Sequence, residues 1–586
     1  MGAIDALPLQ PENTMQRCLL RLLMAFLLYC SASHAQWPAQ KTPPPPLLVY
    51  TDIVSGPNEG GENNQGIYLS LFGKNWGKGG LGSDLKVFIG GVEVDNYRSL
   101  GNARGRPDMQ QMTVQIGALG KPRPGVALAI KVVRNGAESN GNLTFTVNPG
   151  RILFADNVNG NDVSAVPGDI AHPYRHVQNS HPGAGAWAAV QAGDVIVMRG
   201  KGLPWLDHGR QGYFLRISDK SGTPPTGAAN SGPIGLMAYP GEDVFIDQPY
   251  QAEPQQAPSK GAISAVNAQE HPGLGQWITI SNLRIEAGGP DGVINLQVLG
   301  SHWRIINNEL TAASAVANSH AKAGGIAGNG FGEIWLGNHI HDIYCGPENS
   351  GPLQHHGIYI DGDGEYEIAY NVIEKIPGGN GFQTYVDGTN GSQNTGHIHF
   401  HHNLIRATGK HGINLADGSK DGIVIVNNLI AETRYAGLRF NSTELHLARI
   451  YHNTLYHTNT AHHPKYAAIM NDWHLDGHAL DLQNNLIVPS PDTDYAGGTV
   501  GFALKVGTIE RNFWFAGNGT TRLDQSAQSG PLQFAVDGKD FHVRPGSWSI
   551  DAGSAAVAGV VSDDYDLTTA RPQGLGFDIG AYELAQ

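Results

Sequence analysis

Over most of this chain the apolar and polar positions recur around an asparagine rather than with a helical period. The asparagine returns at Asn308, Asn338, Asn371, Asn403, Asn428, Asn453 and Asn485, at spacings of 30, 33, 32, 25, 25 and 32 residues. Three positions before it stand Ile305, Trp335, Ile368, Phe400, Ile425, Ile450 and Leu482. Two positions after it stand Leu310, Ile340, Ile373, Ile405, Ile430, Leu455 and Ile487. A fixed register with unequal spacing marks a solenoid whose coils carry loops of different length. It predicts stacked parallel strands around a continuous core. The asparagines fall at a turn, where their amides can stack into a hydrogen-bonded ladder. Another strand precedes the asparagine in His356-Gly357-Ile358-Tyr359-Ile360, Asn380-Gly381-Phe382-Gln383, His411-Gly412-Ile413-Asn414-Leu415 and Ala436-Gly437-Leu438-Arg439-Phe440, each with a glycine before an inward apolar residue.

Residues 47–150 follow a different pattern: short β-type runs such as Ile67–Phe72, Val87–Ile89, Ala127–Val133 and Leu143–Val147, separated by turns. These predict a small antiparallel β-sandwich. With Ser55-Gly56-Pro57, Gly60-Gly61, Phe72-Gly73-Lys74-Asn75-Trp76-Gly77 and Ile89-Gly90-Gly91, the segment resembles the IPT/TIG family of immunoglobulin-like domains. That resemblance implies a spacing or docking module, with catalysis downstream; because the catalytic candidates all lie beyond residue 340, a chain starting near Arg151 is expected to fold and keep any activity.

Upstream, Arg17 and Arg21 precede the apolar run Leu22–Tyr29 and the small-residue stretch ending at Ala35. This predicts a signal peptide over residues 1–35 and export to the periplasm or the extracellular space. A proline-rich linker, residues 36–46, follows. Cys18 and Cys30 leave with the signal, so Cys345 alone remains and no internal disulfide forms.

The stretch 151–586 resembles the right-handed parallel β-helix of pectate-lyase-like proteins, which makes the chain all-β. Ile152–Asn157 with Asn159–Asp162 resembles that group's first strand. Asp551-Ala552-Gly553-Ser554, Asp564 to Arg571-Pro572, and Phe577–Glu583 resemble its terminal cap and turn signatures.

Composition narrows the partner. With 38 basic against 52 acidic residues the formal net charge is −14, against nucleic-acid binding. Glycine, at 78 residues, suits many tight turns, and no segment beyond the signal is apolar enough to span a membrane. The expected partner is a polysaccharide, and the expected state a monomer.

Alternation along the parallel strands carries the site prediction. With Ile358, Phe382, Ile413 and Leu438 pointing inward, Tyr359, Gln383, Asn414 and Arg439 form an outward column. Asp361 and Tyr385 extend it, and His355, His356, Lys410 and His411 stand at the strand starts. Such a set suits β-elimination from a uronic acid: one group removes the proton beside the carboxylate, another neutralises the carboxylate, and a third protonates the leaving oxygen. His411, Arg439, Tyr359, Tyr385 and Asp361 are the candidate catalytic residues, and Gln383, Asn414, His356 and Lys410 the candidate substrate-binding ones. His411 and Arg439 are expected outside the core, His411 with a near-neutral pKa.

Two rivals stand beside the lyase. Asp361, Asp363, Asp387 and Asp417 follow the same strands, and two of them could act as the carboxylate pair of a glycoside hydrolase. The same surface could also bind polysaccharide without cleaving it. No cofactor is assigned. His397, His399 and His401 alternate on one strand, which would suit zinc, but solvated histidines explain them as well. Calcium bridging an acidic polymer is a further option with no distinctive ligand run.

Overall fold

The computed structural model describes residues 43–120, 125–178, 185–206, 212–217, 226–229, 232–248, 261–265, 275–287, 292–296, 301–312, 324–344, 355–385, 394–442, 444–446, 448–472, 480–494, 496–497, 508–514 and 530–585. The expected signal peptide, Cys345 and Asp387 lie outside these residues. Two compact units divide the chain, Met1–Pro45 and Pro46–Gln586, and everything below concerns the second.

It opens with two antiparallel sheets. One is built from Leu47–Thr51, Tyr68–Lys74, Gln110–Gln115 and Asn96–Asn102, the other around Thr144–Val147, Ala127–Arg134 and Leu85–Ile89. Alternation turns Leu69 and Leu71 from the first, and Val87, Ile89, Ile130 and Val132 from the second, into one shared core.

From Ile152 on the fold is a parallel β-helix. Each coil contributes up to three strands, one to each of three faces, and each strand pairs in parallel register with its counterpart one coil away. The coil beginning at His356 shows the plan. His356–Ala369 runs along the first face and on into the second, and Val372–Ile376 forms the third. Strands of the first two faces join into one 20-stranded sheet, and the third face is a 10-stranded sheet. Both apolar columns read from the sequence lie inside, from Ile305 to Leu482 on the second face and from Leu310 to Ile487 on the third.

The asparagines occupy the corner between the second and third faces, fully buried. Asn428 shows the pattern: its Oδ1 accepts the backbone N–H and the side-chain Nδ2 of Asn403, and its own Nδ2 donates to the Phe400 carbonyl. The ladder runs from Asn308 through all seven positions and on to Asn512, which also has Ile509 three before and Trp514 two after. It satisfies corner backbone groups that the sheets leave unpaired, as burial requires.

The residue before each ladder asparagine is left-handed: Asn307, Gly337, Tyr370, His402, Asn427, His452 and Asn484 have φ of 55, 65, 61, 53, 52, 52 and 58°. Their side chains form an outward seam. Its first half carries the sandwich: Asn307 donates to Gln111, and Tyr370 stacks on Tyr50 at 5.5 Å. A Cβ at Gly337 would lie 1.9 Å from the Tyr50 hydroxyl, so only glycine fits there. The second half carries the C-terminal segment, 530–585: Asn427 donates to the Asp563 carbonyl, Arg571 to His452, and Asn484 pairs with the Ser554 backbone. Arg106 of the sandwich donates to the His402 and Tyr565 carbonyls and lies over the Tyr565 ring, so the two additions meet on this seam.

Two expectations need correction. The sandwich is no detached spacer, because Ile152, Phe154, Val195, Val197 and Met237 of the first coils lie in its core cluster. The C-terminal motifs run along the flank of the coils: Phe541, Val543, Ile579 and Tyr582 cover Leu429, Tyr456, Leu486 and Val488. Their acidic residues tie the segment together. Glu583 pairs with Arg571 at 3.2 Å with both side chains fully buried, and Asp578 accepts the N–H groups of Asp551 and Leu584.

Candidate active site

The glycines at the start of the first-face strands set the geometry. A Cβ on Gly357, Gly381 or Gly412 would come within 2.2 to 2.4 Å of Ile373, Ile405 or Ile430, so the chain enters this face tightly over the third-face apolar column. The next residues, Ile358, Phe382, Ile413 and Leu438, then point inward.

The outward column forms as alternation predicts: Tyr359 pairs with Gln383, Gln383 with Asn414, and Asn414 with Arg439. Asp361 stands in register with Tyr385. The column is not an open surface, however. Tyr359, Gln383 and Asn414 are only 3, 6 and 5% exposed. Gln383 accepts from Asn380 and Asn414, and Tyr359 stacks on His356. Arg439 is held by Asp472, which accepts from its Nε at 2.8 Å and its Nη2 at 2.7 Å. Arg439 is half-buried and outside the apolar core, as expected, but its partner Asp472 is 6% exposed, so removing Arg439 takes a cation from beside a buried carboxylate.

His356 and His411 belong to a second, mixed ladder. His356 Nδ1 accepts the Asn380 N–H, Asn380 Oδ1 accepts the His411 N–H, and His411 Nδ1 accepts the Ala436 N–H. Both imidazoles are buried. Burial, reinforced by Arg439, Lys410 and Lys465, pushes the His411 pKa well below its ordinary value, and burial with Lys410 and His355 does the same to His356. His411 is therefore neutral near pH 7 and tied to the backbone, which replaces the expectation of an exposed near-neutral proton carrier.

One position earlier in each coil lies the feature that the alternation argument did not single out. His355, Gly379, Lys410, Tyr435 and Tyr466 succeed one another down the corner. Tyr435 and Tyr466 stack at 4.3 Å, half-buried, with His411 and exposed His463 against their rings. Lys465 lies over Tyr466 and Arg434 over Tyr435. Burial raises the Tyr466 pKa against the opposing pull of Arg439, so its hydroxyl keeps its proton near neutrality. Counting one residue back from Ala436 and Ala467, as from His411, would have found both tyrosines.

Several buried polar atoms here find no hydrogen-bond partner among the described residues: both ring nitrogens of His355, His356 Nε2 and Asn414 Oδ1. Burial and Lys410 push His355 down to about 4. Such unmet groups cluster where a polar ligand is recognised. Of the rival carboxylates, Asp363 accepts its neighbour Gly364 N–H and Asp417 occupies a left-handed turn position, φ 48°.

No family model and no curated protein matches the sequence. Among solved structures the chain is similar to a GH136 lacto-N-biosidase from Eubacterium ramulus, at 10% identity over 64% of this chain and 67% of that one, with a TM-score of 0.33. It is also similar to the catalytic domain of Agl-KA, at 10% identity over 79% and 96%, with a TM-score of 0.25. Scores this low carry no argument about activity. The strand pairing itself makes the chain an all-β parallel β-helix preceded by two antiparallel sheets.

Proposed function

We propose that this chain binds a uronate-containing polysaccharide along the first-face corner and cleaves it by β-elimination. The observation that supports this best is the gathering of Lys410, Lys465 and Arg439, all close enough to bias His411 electrostatically, beside a stacked tyrosine pair in a protein of net charge −14. Cations concentrated at one place on an acidic chain suit an anionic polymer. Tyrosine rings suit the apolar faces of sugar rings.

In this reading Lys410 and Lys465 neutralise the uronate carboxylate, acidifying the proton on the adjacent carbon. Asp472, oriented by Arg439, accepts that proton. The electron pair forms the new carbon–carbon double bond as the glycosidic carbon–oxygen bond breaks, and Tyr466 protonates the departing oxygen. Gln383, Asn414 and Tyr359 position the neighbouring sugar.

The test is the full chain incubated with a galacturonate polymer, a mannuronate polymer and a neutral glucan. Unsaturated, ultraviolet-absorbing ends from a uronate polymer are expected, and Tyr466→Phe should lower turnover at least about a hundredfold with an unchanged unfolding midpoint. Reducing ends without that absorbance would replace elimination by hydrolysis. Binding without either product would make the chain a polysaccharide-binding protein.

A further inference from the structure

On the second face, away from the tyrosine corner, Glu367 stands in register with His399 one coil on, and His401 projects from the same side two residues later. His397, grouped with them by sequence, is instead an exposed turn residue with φ 45°. Ala369, two residues after Glu367, pairs with His401. His399 Nδ1 lies 2.9 Å from Glu367 Oε2 and His401 Nε2 lies 2.6 Å from Oε1, the two imidazoles being stacked at 4.1 Å. Nitrogen, nitrogen and carboxylate oxygen all fall within 4.8 Å of one another.

Behind the cluster, His401 is buried against the Tyr370 and His402 rings, and its Nδ1 lies 2.7 Å from His402 Nδ1, which holds the ring with Nε2 turned toward Glu367.

We propose that Glu367, His399 and His401 bind one divalent metal ion of the zinc type. Two imidazoles and a carboxylate are a zinc ligand set. The His399 and Glu367 side chains are 45 and 40% exposed, which leaves a coordination position facing solvent. His402, next to the metal ligand His401, is also the point where Arg106 of the sandwich and Asp564 of the C-terminal segment attach, so the ion fastens the coil under both. The site lies on a different face from the tyrosine corner and does not depend on the polysaccharide reading.

The test is calorimetric titration of zinc into chelator-treated full-length protein, with thermal unfolding alongside. One ion per chain and a raised midpoint are expected, both lost in His399→Ala and in Glu367→Gln and both kept in His397→Ala. Circular dichroism confirms that the variants fold. Cobalt in place of zinc should give the visible absorption of a low-coordinate nitrogen and oxygen site in wild type and not in His399→Ala. Absence of stoichiometric binding in folded wild type would overturn the proposal. Binding undiminished in both site variants would overturn it too.

Discussion

His411 shows what alternation decides and what it leaves open. Period two places a side chain toward or away from the strand's own core, and it located Tyr359, Gln383, Asn414 and Arg439 in one column correctly. It does not say whether the outward side meets solvent, because that depends on distant parts of the chain. At the strand starts a histidine with one free lone pair does the same work as the Asn380 carbonyl oxygen. His411→Ala should therefore cost about 1–3 kcal/mol through the stranded Ala436 N–H, while His411→Asn should keep the bond. The pH dependence follows from the same burial. A histidine whose folded pKa is depressed binds fewer protons folded than unfolded, so its contribution is complete above the unfolded pKa of ~6.5 and is lost as the pH falls below it. In urea unfolding, His411→Asn should thus gain on wild type by about 1.4 kcal/mol per pH unit below ~6.5. Parallel pH profiles would mean that the imidazole takes up a proton in the folded protein.

Among the elements, the asparagine ladder was the most legible in sequence, because every coil must meet the same backbone demand at the same corner. Asn512 obeys the same columns at a spacing of 27 residues, and the ladder reaches it. What the repeat could not disclose is the left-handed seam beside the ladder. Its members, Asn307, Gly337, Tyr370, His402, Asn427, His452 and Asn484, share a backbone conformation but, apart from three asparagines and two histidines, no common side-chain type, since each is fitted to its own partner. Asn428→Ala should lower stability by roughly 2–5 kcal/mol, because it strands the buried Asn403 N–H and the Phe400 carbonyl together. An exposed third-face change such as Glu432→Ala should stay within about 0.5 kcal/mol. Equal unfolding midpoints for the two variants would contradict the ladder's role.

At the scale of the whole molecule, the boundary near residue 150 is clear in sequence as a change of pattern, but a change of pattern is not a mechanical boundary. The outward residues Ile152, Phe154, Val195 and Val197 make the first coils part of the sandwich's core. A chain starting at Arg151 would expose them, at about 1.5–3 kcal/mol for each fully uncovered side chain. It should precipitate or melt well below the full chain, and a soluble fragment with the same midpoint would restore the detached-spacer picture. The cation and tyrosine corner was read only in part, through Lys410 and Arg439, because the alternation argument follows the strand residues and Tyr435 and Tyr466 stand just before the strands, at the position that Lys410 occupies in its own coil. The most direct measurement of that corner's role is hydrogen–deuterium exchange across the full chain, with and without saturating uronate oligosaccharide. Protection confined to the first-face segments around Tyr435–Arg439 and Tyr466–Asp472 is predicted; protection on the sandwich or the third face, or none anywhere, would contradict it.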